Sequence, residues 1–148
     1  MWYLARIQQT HNDACSSEKL LIDTLRRGFE EADLVLTTGG TSMGVTDLLK
    51  PVIERAFDGT IHFGRVRVKP GKPTTFATVP SASKTATSQA AQPRTPVFAL
   101  PGNPASALCM FYVFVLPALR RLGGWAVDRC QLPRVQVQVR GAFVLSEA

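Results

Sequence analysis

Two short apolar runs do most to limit what this chain can fold into. DLVLTT (33–38) and PVFAL (96–100) each pass directly into a glycine-bearing loop and then into a helical pattern. Runs of five or six residues rich in Val, Leu and Thr, bounded by turn residues, fit strands buried on both faces, as in a parallel sheet. Strand, glycine loop and helix in succession make the repeating piece of an open α/β sheet. The expected fold class is therefore α/β, a mostly parallel sheet with flanking helices.

The segments between these runs fill in the pattern. Leu21, Leu25, Phe29 and Ala32 recur at helical spacing behind Ser16-Ser17-Glu18, which can cap a helix over 18–31. A second helix is predicted over 48–57, with Pro51 in its first turn, where a missing N–H costs least. Residues 60–68 (TIHFGRVRV) read as a strand that changes phase at Gly64, and 74–79 as another. Residues 80–95 are small, polar and low in complexity, the composition of a disordered loop insertion. From Pro104 to about Leu122 a long apolar helix is expected, mostly buried, with Leu108, Phe111, Val115 and Leu119 on one face and a kink at Pro117. Gly123-Gly124 ends it. From Val135 onward an alternating pattern begins, the first strand of a β-rich C-terminal domain. The expected division is a partial domain over 1–124 followed by 125–148. The chain opens without a clear strand and closes just as a strand begins, which predicts a piece of a longer protein of marginal stability on its own.

Composition narrows the chemistry. With 45% hydrophobic and 19% charged residues in 148, the chain has enough apolar content for a sizeable core. A net charge of +6 favours anionic partners without choosing among them. The three cysteines, Cys15, Cys109 and Cys130, are far apart, and neither they nor His11 and His62 have metal-ligand spacing. Zinc and a disulfide framework are thus disfavoured, and a reducing cytosol is the plain reading. Cys109 reads as a small apolar residue of a buried helix. The start of the chain has no secretory apolar region, and the charge-free stretch 104–119 is shorter than the ~20 residues of a spanning helix.

Three loops carry candidate chemistry. In the first, 37–47 (TTGGTSMGVTD), Gly39 and Gly40 permit close backbone approach, Ser42 offers a hydroxyl, and the next helix starts near Asp47. An acid beside an anion site makes sense if a cation such as Mg²⁺ bridges them; otherwise Asp47 is a helix cap. The second, KPGKP (69–73), puts Arg65, Arg67, Lys69 and Lys72 within eight residues, and Pro70 and Pro73 stiffen it. Charge-assisted bonds from such cations to phosphate are worth roughly 1.5–3 kcal/mol each; the plainer alternative is a solvated basic edge. The third, LPGNPAS (100–106), has two prolines, Gly102 for close contact, Asn103 to donate or accept, and Ser106 at a helix start. That arrangement also serves as a simple helix cap. His62 reads as structural.

The three loops, in this order, resemble the molybdopterin-binding domain of the molybdopterin molybdotransferase family (the MoeA and gephyrin E-domain type). The matching text is ADLVLTTGGTSMGVTDLLKPVIE, IHFGRVRVKPGKPTTFATV and PVFALPGNPASALCMFYVFVLPALRRLGG, roughly residues 18–124 without the insertion. The resemblance implies an incomplete molybdopterin-binding-domain fold. The reaction it implies inserts molybdate into adenylated molybdopterin with Mg²⁺ and releases AMP. By position, Asp47 and Ser42 match the acid and hydroxyl of the pterin loop. Lys69, Lys72 and Pro73 match the basic loop, Arg65 a basic position, and Ser106 the hydroxyl after LPGNP. The resemblance places Lys72 and Ser106 near the molybdate oxyanion and Asp47 at the metal or the pyrophosphate. It also implies a homodimeric full-length parent. Alternatives are the related molybdopterin adenylyltransferase, whose loop carries glycine where Ser42 stands, and a receptor-anchoring scaffold of the gephyrin type. Nucleic-acid binding ranks lower, because few aromatics interleave the cations.

Overall fold

The computed structural model of the chain describes residues 3–4, 14–39, 48–81, 93–136 and 138. In chain order these form β1 (Tyr3–Leu4), α1 (Ala14–Glu31), β2 (Val35–Thr38), α2 (Leu49–Phe57), β3 (Thr60–Phe63), β4 (Thr75–Pro80) and β5 (Arg94–Leu100). A continuous helical stretch follows as α3 (Pro104–Met110), a π turn (Phe111–Val115) and α4 (Leu116–Leu122), and α5 (Val127–Cys130) ends the series.

One sheet runs in the order β1-β2-β5-β4-β3. The α/β class stands, and the sheet is mixed. β1, β2 and β5 are parallel, whereas β4 runs antiparallel to β5 and to β3. The reversal follows from connection type: β2 reaches its parallel partner β5 only after a helix and a hairpin, while β3 and β4 are joined by the loop 64–74, which folds back with no crossover helix. β1 is a strand the sequence reading did not find. Its two residues pair with Val35 and Leu36, too short a run for any periodicity to register.

Helices pack on both faces of the sheet. Leu21, Leu25 and Phe29 of α1 and Leu49, Val52 and Ile53 of α2 pack with Val35, Ala77, Val79, Val97 and Ala99. On the other face Leu34, Leu36, Phe98 and Leu100 meet Met110 and Val115. β5 therefore sends Val97 and Ala99 to one layer and Phe98 and Leu100 to the other, so its unbroken apolar run is a strand buried on both faces. Phe29 and Phe57 meet edge to face at 4.9 Å and join α1 to α2. Asp58, in the left-handed region at φ 49°, turns the chain out of α2, and the Gly59 N–H closes back on Ile53 O at 2.9 Å.

Several expected boundaries move. α1 starts a turn before residue 18, and the side chains of its first four residues, the Ser16-Ser17 cap among them, lie outside the description. The predicted 60–68 strand ends at Phe63, because the register shifts between Ile61 and Phe63 and the chain then leaves the ladder. Val66 and Val68 are half-buried against the core layer that holds Leu36, Phe98, Met110 and Val115, so their alternation reflects a loop packed on the core. The ends of the predicted 80–95 insertion belong to the hairpin: Pro80 pairs with Arg94, and the Ser81 N–H donates to Pro93 O at 2.9 Å. Its interior, 82–92, lies outside the described residues. Arg94 ties the hairpin further, donating to Thr78 Oγ1, Thr78 O and Thr60 Oγ1 at 3.0–3.1 Å.

The long helix differs most from expectation. Only Met110 and Val115 are buried; Leu108 is 58% exposed, and Tyr112, Val113 and Leu122 are exposed as well. Cys109 is exposed, not buried. The cause is the π turn, in which the Leu116 N–H donates to Phe111 O, five residues back. Pro117 cannot donate to Val113 O, and its ring would crowd that carbonyl, so the extra residue is accommodated just upstream of it. Met110 and Val115 would point about 140° apart in an unbroken α-helix. The π turn brings both onto the sheet and carries Leu108 outward. By length and composition this Pro104–Leu122 helix could cross a membrane, yet one side of it lies on the sheet. Beyond it, Arg120 stacks over Trp125 at 5.0 Å and donates to Cys130 O at 3.3 Å, holding α5 to the end of α4. Residues 132–136 and 138 carry no regular structure, and most of the strand expected from Val135 lies outside the described residues.

Candidate anion-binding site

Strand direction decides where the three loops meet. Thr38 of β2 lies opposite Leu100 of β5, so the loops that follow both strands leave from one edge of the sheet. β4 is antiparallel, and Thr75 at its start lies opposite Ala99. The KPGKP turn, just before Thr75, therefore emerges at the same edge. An edge outside the carboxyl ends of parallel strands is where ligands bind in open α/β sheets.

The first and third loops touch through glycines. The Gly39 N–H donates to Leu100 O at 3.1 Å, and Gly39 has φ 85°. A Cβ on Gly102 would stand 3.5 Å from Gly39 Cα, so the two backbones run side by side. Gly40, Ser42 and Asp47 lie outside the described residues.

Asn103 caps α3. Its Oδ1 accepts from the N–H groups of Ala105 and Ser106 at 3.0 and 3.2 Å, and Pro104 occupies the first helical position. Asn103 thus holds the helix start with its oxygen, while the half-buried Ser106 hydroxyl sits 3.5 Å from that same oxygen.

The KPGKP turn is fastened at its base. Thr74, fully buried, donates to Gly71 O from both N and Oγ1, at 3.1 and 2.6 Å. The Val66 N–H donates to Lys72 O at 2.9 Å. Gly71 has φ 128°, and the Lys69–Pro70 peptide is cis. Lys69 and Lys72 remain exposed, as do Arg65 and Arg67, and Pro73 is half-buried. Because 64–68 is not strand, Arg65 and Arg67 do not share a strand face. The turn therefore concentrates positive charge on a fixed backbone at the loop edge.

Two residues at this edge were not singled out from sequence. Thr37 and Thr75 flank Ala99 across neighbouring strands, both 1% exposed. Neither hydroxyl has a partner among the described residues. A buried unmade hydrogen bond costs about 1–3 kcal/mol; Ser81 and Thr95, at the other end of the sheet, carry the same feature, so it does not by itself distinguish this edge. Threonine in a strand reads only as a β-former, so no sequence signal distinguishes it. Among the described residues no group of three or more His, Cys, Asp or Glu could hold a metal ion. His62 stacks on Phe76 and lies 2.9 Å from Thr78 Oγ1, a structural placement.

The fold and this edge define a class: an open α/β domain with glycine, lysine and helix-start loops gathered on one side. The chain belongs to the family described as probable molybdopterin binding domain, which matches residues 16–121. It is 44% identical over 126 residues to gephyrin of Dictyostelium discoideum, covering 80% of this chain and 17% of that protein. It is 39% identical over 123 residues to the molybdenum cofactor synthesis protein cinnamon of Drosophila melanogaster, covering 83% and 18%. With the molybdopterin molybdenumtransferase of Nostoc sp. it shares 36% over 105 residues, covering 70% and 21%. The chain thus spans about a fifth of the length of the curated relatives it matches.

Proposed function

We propose that this chain carries the pterin-phosphate part of a molybdopterin molybdotransferase site, which inserts molybdate into adenylated molybdopterin and releases AMP. The observation that supports it best is the convergence of the three loops on one sheet edge, with the KPGKP turn brought there by the antiparallel β4. Lys69 and Lys72, with Arg65 behind them, supply charge to the phosphate or molybdate oxygens. The Ser106 hydroxyl supplies a short donor at the positive end of α3, whose first N–H groups are already taken up by Asn103. Gly39, Gly40 and Gly102 let the ligand approach the backbone, Pro73 stiffens the basic turn, and Ser42 adds a hydroxyl. Asp47 is the carboxylate of the first loop and the residue to replace when magnesium dependence is tested. The chemistry assigned to these groups is electrostatic and positional, with no covalent nucleophile.

Adenylated molybdopterin is titrated into the 148-residue chain and into Lys69→Ala/Lys72→Ala. Saturable binding by the first and its loss in the second support the reading. A folded chain that does not bind, or a variant that binds equally well, overturns it. Homodimerisation is a separate proposal for the longer parent, measured by light scattering.

A further inference from the structure

We propose that Met110 is a positioning residue for the basic turn, and that the π turn exists in part to present it there. The inference rests on the pterin-phosphate reading above and adds to it the mechanical link between two of the loops.

Gly71 is the centre of the turn. Its φ of 128° suits glycine, and a Cβ there would stand 2.5–2.7 Å from Sδ, Cγ and Cε of Met110. The space a side chain would occupy is already filled by Met110. The base of the turn is closed by Thr74, next to β4, and by Val66 of the preceding loop, and those bonds hold the carbonyls of Gly71 and Lys72. Lateral packing beside Gly71, at the centre of the turn, is a separate contact. Met110 supplies it from the side of α3, the helix that begins at the Asn103 cap. The basic turn and the helix start at Ser106 are therefore held in register by one 1%-exposed side chain.

The helix geometry is consistent with that task. Met110 lies seven residues after Asn103 and immediately before the π turn. Without the extra residue, seating Val115 on the sheet would rotate Met110 away from Gly71. With it, both seat together. π turns often occur where a helix must aim a residue at a functional site.

The test uses Met110→Ala and Met110→Leu in the 148-residue chain, with backbone hydrogen exchange measured without ligand and adenylated molybdopterin binding measured beside it. In Met110→Ala the Val66 and Thr74 amides, which close the turn, should exchange roughly tenfold faster while the Leu25 region keeps its protection. Ligand affinity should fall by roughly the same factor, since small misplacements of charged groups are costly. Met110→Leu, of similar volume, should restore both. Unchanged exchange at Val66 and Thr74 would overturn the proposal, as would a loss of protection spread evenly over the whole chain. Faster exchange confined to the turn in a chain whose wild type takes no ligand would uphold the mechanical role and overturn the pterin reading.

Should Met110→Ala fail to fold, Gly71→Ala approaches the same contact from the other side. It should loosen the turn. Met110→Val, which withdraws the atoms that face Gly71, should by itself loosen the turn, and Gly71→Ala/Met110→Val should then lose less than the sum of the two single losses. A loss equal to that sum would count against contact.

Discussion

Replacing Asn103 separates holding a helix from holding a ligand. Its Oδ1 accepts from two backbone N–H groups at 3.0 and 3.2 Å. Asn103→Ala removes both, and loss of a helix cap costs about 1 kcal/mol. For a domain of this size that lowers the melting temperature by roughly 4 °C. Asn103→Asp keeps the acceptor and places a negative charge at the positive end of α3, worth about 0.3–1 kcal/mol in favour of the fold. The same charge opposes an anion bound at the helix start. Two unit charges ~6 Å apart at an effective dielectric of ~20 repel by about 3 kcal/mol. Asn103 is exposed, so solvent and salt should reduce this to about 1.4 kcal/mol, a tenfold loss of affinity. Circular dichroism melts and calorimetric titration of adenylated molybdopterin measure the two effects side by side. The expected pattern is opposite in sign: Ala less stable with modestly weaker binding, Asp at least as stable with clearly weaker binding. An Asp variant that melts normally and binds as tightly as wild type would show that no anion sits at the start of α3.

Binding should also weaken as salt rises, because Arg65, Arg67, Lys69 and Lys72 are all exposed. Titrations between ~0.01 and ~0.15 M ionic strength, over which the screening length falls from ~30 to ~8 Å, should show it. Gly59→Ala should destabilise the fold by about 1–3 kcal/mol in denaturant titrations. Its methyl would lie 2.4 Å from Ile53 Cγ2 and 2.8 Å from Ile53 O, where the end of α2 closes. Iodoacetamide under native conditions should modify exposed Cys109 well before buried Cys130, as peptide mass mapping will report.

Much of this was legible in the chain because it is local. The 33–38 and 96–100 runs gave buried strands, and the spacing of Leu21, Leu25 and Phe29 gave α1 with its correct buried face. The Pro and Gly residues gave the turns, and Asn103 with Pro104 gave the capped start of α3. What escaped depends on tertiary partners. Tyr3–Leu4 is a strand only because β2 lies beside it. Leu108 belongs to the inner face by 3.6-residue counting and leaves it because a π turn, invisible to that count, changes the phase. Val66 and Val68 alternate like a strand but belong to a loop packed on the core. At the site, the loops could be read as anion-suited, but their meeting on one edge follows from the antiparallel course of β4. The partnerless hydroxyls of Thr37 and Thr75 emerge only from the packing around them.

The antiparallel hairpin also has a practical consequence. Ser81 and Pro93 close it at the end of the sheet away from Thr75 and Leu100, and the seven residues of β5 put about 20 Å between the two edges. Chain spliced in between them would enter and leave through adjacent residues already tied by a hydrogen bond. Doubling the length of such a connection costs only about 0.6 kcal/mol in closure entropy. That position is the place to graft a fluorophore-bearing or affinity segment, giving a handle for immobilisation or distance measurement that leaves the basic turn unobstructed.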